Sequence, residues 1–375
     1  MRATQQSTGR TAAQAVQERL GEIEMGEGIS FGRMTVYPLF ALGHAAATPA
    51  PGATLTYRTL RDALADGSVR VTERAQASVP ELVIENTGTF MILILDGEEI
   101  IGGRQNRIVN ASFLVPAQTT MPLPVSCVEH GRWHDESPVF ASGEASYFSL
   151  RQAKHVQVTQ SLRATGRHTS DQGAIWNSVA ATAAVARAAA PSGAMHDIYR
   201  TRDRDLTGYQ EAFGYVPDAL GLLVALGGRP AGADLFDQPG TAAQIWPRLV
   251  RSYALDALDA PEASAGDTAD RERMRDLIAW AQVGKYEVFP SAALGEDVRL
   301  EGDSVVGGGL VHEDVPIHIN IFRKDEHEPG ERFAAGRMAR ASQRRAMFQE
   351  QSHRAQPAQP EQSEDAADAT DGADA

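Results

Sequence analysis

Only one cysteine, Cys127, stands in the 375 residues. A single thiol excludes an intramolecular disulfide framework and a zinc site made from cysteine alone. A reducing, cytoplasmic setting suits such a chain. Long hydrophobic runs are also missing. The longest, residues 90–95 (FMILIL), is far shorter than the roughly 20 apolar residues a membrane helix needs. The opening stretch MRATQQSTGRTAAQAVQERL is polar and lacks the apolar segment of a secretory signal, so none is expected. No internal repeat is visible. Positive charge is absent from the last segment, residues 361–375, which holds Glu361, Glu364, Asp365, Asp368, Asp371 and Asp374. That tail carries under half of the net charge of −14, so the body ahead of it is acidic too. An acidic body has little to offer a phosphate backbone, and general nucleic-acid binding is not expected. One local basic pocket stays compatible with this balance.

What is present is ordinary for a globular chain: 42% hydrophobic and 22% charged residues. The length allows two or three structural units. Residues 11–20 predict a short helix without a strong apolar face. Residues 34–41 (MTVYPLFA) predict an edge strand, because Pro38 cannot donate to a ladder. Residues 59–65 predict a helix and residues 69–72 a strand. The stretch 81–128 is the best-defined β unit. Residues 90–95 are apolar on both faces and predict a central strand. Asp96-Gly97 is a hairpin signal, with 98–101 returning beside that strand. Gly102-Gly103 allows a bulge or sharp bend. Residues 107–115 predict one strand with Asn110 and Ser112 on one side, and 123–128 another. Strands this close together, without helices between them, argue for an antiparallel sandwich or barrel.

After about residue 150 the pattern changes. Helices are predicted over 171–190, 203–213, 246–258 and 270–282. Strand signals return at 286–289, 298–301, 308–312 and 316–322. The fold class is therefore α+β, with a sandwich or barrel-like N-terminal unit, a central helical block, and C-terminal strands that complete the sheet. Gly307-Gly308-Gly309 lacks the strand–turn–helix context of a phosphate loop and reads as a turn. In outline, 1–27 is a flexible lead, 28–329 the folded domain (β-rich 34–128, helical 171–282, β-rich 286–322), and 330–375 a basic then acidic tail. The tail's Pro, Gln, Ala and Asp content predicts disorder.

The densest polar chemistry lies in residues 97–116 (GEEIIGGRQNRIVNASFLVP) and 124–133 (PVSCVEHGRW). Arginine forks such as Arg104, Arg107 and Arg132 recognise phosphate or carboxylate in pairs of hydrogen bonds. Gln105 and Asn106 can read an amide, a base or a sugar, and Trp133 can stack on a ring. Glu129, and after it Glu98, are the candidates for a general acid or base. The plainer reading of the same residues is a hairpin with a solvated polar edge and internal Arg–Glu salt bridges. Cys127 continues an apolar strand face and reads first as a small buried hydrophobe; as a nucleophile it would need His130 or His134 as its base. Glu129, His130 and His134 do not make a metal site by spacing, since Gly131 and the strand signals oppose a helix there. The sequence does not specify a cofactor.

Taken in order, these segments resemble a bacterial family, the ARG and rhodanese-phosphatase-superfamily-associated protein domain. The likeness continues through DQGAIW (171–176), ADLFDQP (233–239), SYALDAL (252–258), LGEDVRL (294–300) and GGGLVHEDVPIHINIF (307–322). It spans roughly residues 28–322. The family's name implies association with ADP-ribosylglycohydrolase-type and rhodanese-phosphatase-type proteins. The resemblance thus implies binding or processing of a small phosphorylated metabolite derived from ADP-ribose or NAD, with hydrolysis as the reaction and ADP-ribose-processing enzymes as partners. The alternative is a non-catalytic accessory or scaffold protein whose Arg and Glu clusters are structural.

Deleting residues 330–375 is expected to leave a soluble chain with an unchanged melting temperature. Aggregation of the truncated chain would contradict the boundary.

Overall fold

The computed structural model describes residues 10–43, 56–74, 79–132, 137, 140–260 and 271–324. Helix α1 (Ala12–Gly21) opens with a capping box between Thr11 and Gln14, which satisfies two end donors reciprocally. Its buried face is small, built from Ala12, Ala15, Val16 and Leu20. Strands β1 (Ile23–Met25), β2 (Ile29–Phe31) and β3 (Met34–Ala41) follow. The predicted edge strand, β3, is interior. It pairs with β1 through residues 39–41, with β2 through residues 34–36, and on its other side with a later strand. Pro38 is tolerated because it falls in the gap between β1 and β2. The Leu39 carbonyl faces the later strand, so Pro38 faces the gap, where its own carbonyl accepts from Gly26 N at 2.8 Å.

The N-terminal β unit comprises β4 (Tyr57–Thr59), helix α2 (Leu60–Ala65), β5 (Val69–Thr72), β6 (Glu81–Asn86), β7 (Met91–Ile94), β8 (Glu98–Ile101), β9 (Arg107–Val109), β10 (Phe113–Val115), β11 (Thr119–Cys127) and β12 (Ala141–Ala145). They form a three-stranded sheet, β10-β7-β4, and a six-stranded one, β12-β8-β9-β11-β6-β5. The apolar strand β7 is central, as its sequence predicts. The expected β7–β8 hairpin is not formed: Asp96-Gly97 is a corner that sends β8 into the other sheet. The expected single strand over 107–115 is likewise two strands, in different sheets, separated by a bend at Asn110–Ser112. Both departures have one cause. The unit folds over a closed apolar core that includes Leu82, Ile84, Ile94, Val109, Phe113 and Val125, so its strands must change sheets at corners.

Helices α3 (Phe148–Thr165), α4 (Gln172–Val185), α5 (Met195–Thr201) and α6 (Asp203–Ala212) form the central block. Helix α4 stops at Val185, short of the expected end near Pro191. Strands β13 (Gly221–Leu226) and β14 (Arg229–Phe236) precede α7 (Pro239–Ala257), which begins seven residues before the helix the sequence predicts, and α8 (Arg271–Val283). The chain ends its described part with β15 (Lys285–Pro290), β16 (Glu296–Glu301), β17 (Val305–His312) and β18 (Val315–Arg323). These complete a nine-stranded sheet, β1-β3-β13-β14-β18-β17-β16-β15, with β2 beside β3. Helices α1 and α8 cover one face, where Val16, Leu20, Met274 and Leu277 meet Leu223, Leu235, Val298 and Ile321. The opposite face packs on α3, α7 and the N-terminal unit through a larger core centred on Trp246, Tyr253, Phe236 and Phe322. Among the described residues no helix is long and apolar enough to cross a membrane.

Gly307-Gly308-Gly309 is not a turn but the middle of β17. A Cβ on Gly308 would stand 2.3 Å from the Val298 carbonyl oxygen and 3.1 Å from His155 Cε1 of α3. Bare backbone here lets helix and sheet approach. Gly308→Ala is expected to lower stability by about 1–3 kcal/mol through overpacking, read as a lower urea midpoint. An unchanged midpoint would contradict this close approach.

Candidate functional site

The two polar segments do meet. Gly102 and Gly103 take φ of 135° and 53°, values that reverse the chain after β8 and return it as β9. The loop they form is clasped by the segment just after β11. Arg132 donates from Nε to Glu129 Oε1 (2.9 Å), from Nη2 to Glu129 Oε2 (2.6 Å) and Asn106 Oδ1 (3.0 Å), and from Nη1 to the Gly103 carbonyl (2.6 Å). Asn106 N donates to Glu129 Oε2 at 3.0 Å, and Gln105 Nε2 to the Glu129 carbonyl at 2.8 Å. Burial raises the Glu129 carboxyl, but Arg132, Ser192 and the Asn106 amide outweigh it and hold the pKa below the ordinary value. Arg107 is buried and donates to the Gln105 carbonyl (3.0 Å) and Oε1 (3.2 Å), with Glu73 3.8 Å away. Arg104 is exposed, and its backbone donates to Glu73. Trp133 and His134 lie outside the described residues. His130 is exposed and sits edge-on to Trp176. Glu129 and Arg132 therefore spend their polar atoms on each other and on the loop they hold.

Glu98 belongs elsewhere. It accepts from Arg248 of α7 (2.6 Å), Ser142 (2.7 Å) and Leu95 N (3.1 Å). Cys127 is fully buried, and burial pushes its thiol up to about 11, so it stays protonated and unreactive at neutral pH. Among the described residues no three His, Cys, Asp or Glu side chains are grouped to hold a metal.

A second polar centre was not singled out by sequence. It lies where the N-terminal unit faces the nine-stranded sheet. A small recess of about 20 Å³ opens there, room for about one water-sized group, walled by Asp96 and Ser112 from the corners of the first unit, His155 from α3, and Asp297, Arg299, His318 and Asn320 from β16 and β18. Ser112 Oγ and His318 Nδ1 are 2.8 Å apart, and His318 Nε2 and Asp234 Oδ1 3.1 Å apart. Asp234 is an acceptor only, so His318 carries a proton on Nε2, and in the neutral imidazole Nδ1 is then the acceptor for the serine hydroxyl. The imidazole stacks on Phe236 at 4.9 Å. Asp234 is fully buried; that raises its pKa, but paired Arg151 and hydrogen-bonded His318 prevail and keep it ionised. Tyr253 adds a hydrogen bond to it at 2.9 Å.

Around this chain, Lys154 is buried against Asp96 and donates to the Val109 and Asn110 carbonyls at 2.9 and 3.0 Å. Burial pulls its ammonium below the ordinary value, with Asp96 opposing. Arg299 donates to Asp297 at 2.6 Å and contacts His155 Nδ1 at 3.2 Å, while His168 Nε2 meets Asp297 at 2.8 Å. Burial raises the Asp297 carboxyl, but Arg299 and His168 outweigh it. Two wall groups have an atom left over. Asn320 Nδ2 donates to Asp96 Oδ2 at 3.1 Å, which fixes the amide orientation, yet buried Asn320 Oδ1 has no partner among the described residues. The same holds for Arg299 Nε. Ser112, Asp234 and the His318/Asn320 pair are far apart in the chain. The signal that could have found them is a polar residue at alternate positions of an otherwise apolar strand, as in PIHINIF.

His155 shows how tightly the wall is tuned. Burial, with Arg299 beside it, pushes its pKa down to about 3, so the folded protein holds it neutral. Nε2 donates to the Gly307 carbonyl at 2.7 Å and Nδ1 accepts from Arg299. The unfolded chain binds a proton near pH 6.5. A folded value below the unfolded one means stability is full above about pH 6.5 and falls as pH drops toward 3. His155→Gln, which preserves one donor and one acceptor, is expected to lose less stability than wild type between pH 7 and 4 in urea unfolding. Parallel losses would contradict the neutral buried imidazole.

The sequence profile of the ARG and Rhodanese-Phosphatase-superfamily-associated Protein domain (ARPP-1) matches residues 22–322, and the chain belongs to that family. No curated protein and no solved structure matches it.

Proposed function

We propose that this ARPP-1 family member binds a small hydroxyl-bearing metabolite in the recess between its two β units and processes it by hydrolytic acid–base chemistry. The observation that carries the reading is the Ser112–His318–Asp234 chain opening into that recess. The leftover acceptor on Asn320 supports it, because buried polar atoms normally find partners and a ligand hydroxyl can donate to it. The size fits a single ligand hydroxyl: the recess has room for about one water-sized group.

An ADP-ribose- or NAD-derived metabolite, the class the family's name suggests, fits this reading through one ribose hydroxyl, with the rest of the molecule outside the recess. Partner enzymes from ADP-ribose metabolism belong to the same proposal and rest on the name alone. For Glu129, Arg132 and Glu98, the observations favour the structural alternative: they are engaged in ion pairs and loop clasps. Arg107 is held by the Gln105 carbonyl and side chain, with its Nε left without a partner among the described residues. A phosphate clamp at Arg107 and Arg132 would have to displace those bonds.

Thermal-shift titrations with ribose 5-phosphate, ADP-ribose and NAD test the reading on wild type, Asn320→Ala and Arg132→Ala. A ligand at about 100 times its Kd stabilises by about 2.7 kcal/mol. Asn320→Ala is expected to lose this shift. Arg132→Ala is expected to start about 3–5 kcal/mol less stable, having left Glu129 buried and unpaired, yet keep the shift. Loss of the shift only in Arg132→Ala would move the site to the loops, and no shift in wild type would favour the scaffold reading.

A further inference from the structure

We propose that Ser112 is the nucleophile of an acyl-transfer reaction and that the substrate class is a carboxylic ester of a small hydroxyl-bearing metabolite. This rests on the recess being the ligand site. Ser112 sits in the bend between β9 and β10, outside both ladders, and lines the recess. Its Oγ accepts from Asp96 N at 2.9 Å and points its proton at His318 Nδ1. One lone pair is then left for attack. The base is itself oriented by Asp234, and Asp234 by Arg151 and Tyr253. This is the nucleophile, base and orienting acid of a serine hydrolase, with the two imidazole nitrogens exchanged relative to the serine proteases.

The wall charges select the substrate. Asp96 and Asp297 both line the recess, and the nearby cations Lys154 and Arg299 are already paired with them. Among the described residues the walls therefore hold no spare cation to balance a phosphate dianion, whereas a neutral acyl group needs none. In the forward step Ser112 Oγ bonds to the ester carbonyl carbon as its proton passes to His318 Nδ1. The tetrahedral oxyanion collapses, the ester C–O bond breaks, and His318 returns the proton to the departing alkoxide. Water then attacks the acyl carbon with His318 taking its proton. Collapse breaks the bond to Oγ, and the proton returns to Ser112. The products are one alcohol and one carboxylic acid. Arg299 Nε, a donor without a partner among the described residues, is the group available to the oxyanion.

The test treats the full chain with a fluorophosphonate probe, followed by intact mass and peptide mapping, and with p-nitrophenyl acetate under burst conditions. The expected result is one adduct per chain on Ser112, an acetate burst, and neither in Ser112→Ala. His318→Asn is expected to label about a hundredfold more slowly, the loss of a general base. Folding of both variants is checked by circular dichroism. Because the adduct is sought on wild type, a variant that fails to fold does not decide the matter. A folded wild type that stays unlabelled, or is labelled elsewhere, overturns the nucleophile. If that unlabelled protein is still stabilised by ribose 5-phosphate, the recess stands as a binding site and only the acyl step falls. Labelling at Ser112 with no stabilisation by any hydroxylated ligand overturns the substrate class.

Discussion

Helix α3 buries charge where a helix normally buries hydrocarbon, and the two β units are held together by how that charge is met. Arg151 and Lys154 are both fully buried, one turn apart and on one stripe with His155, Val158 and Leu162. An unpaired ion in such a place is prohibitively costly, so each must carry a partner into the interior. Arg151 takes Asp234 from the nine-stranded sheet, and Lys154 takes Asp96 and two carbonyls from the N-terminal unit. His155 takes the Gly307 carbonyl. One helix face thus reaches both units.

The recess follows from that arrangement. Charged walls cannot collapse on each other as apolar walls do, and their hydrogen-bond geometry keeps space between them. Asp96 reaches the recess because the chain turns a corner after β7, and Ser112 because it bends between β9 and β10. His318 and Asn320 face it from β18. The Ser112–His318 contact therefore spans the junction of the two units, 206 residues apart in sequence. By contrast, the Glu129–Arg132 ion pair is local in sequence, three residues apart, and spends its atoms on the neighbouring loop and on Ser192.

The α+β class, the apolar central strand β7, helices α6 and α8 and the four C-terminal strands were legible, because their periodicity is set by burial on one face. Helix α3 was not. Its buried stripe is charged, so hydropathy sees no amphipathic face where Arg151, Lys154 and His155 turn inward. The β13–β14 hairpin was overlooked although Gly227-Gly228 between apolar runs is a usable sign. The density of polar residues in 97–133 correctly marked two loops that meet. It could not distinguish a self-satisfied clasp from a site with atoms to spare, since that depends on partners far along the chain. Corners defeated the strand boundaries for the same reason: the turn at Asp96-Gly97 has hairpin chemistry, and only packing decides which sheet the next strand joins.

The most direct measurement is a double-mutant cycle on the pair that ties α3 to the N-terminal unit: Lys154→Met, Asp96→Asn and both together, by urea unfolding. If buried charge compensation organises the fold, each single change leaves a buried group uncompensated and costs about 3–5 kcal/mol. The double variant then costs well under the sum, with a coupling of about 2 kcal/mol or more. Additive losses would show that the two residues are buried side by side without depending on each other, and would contradict the account.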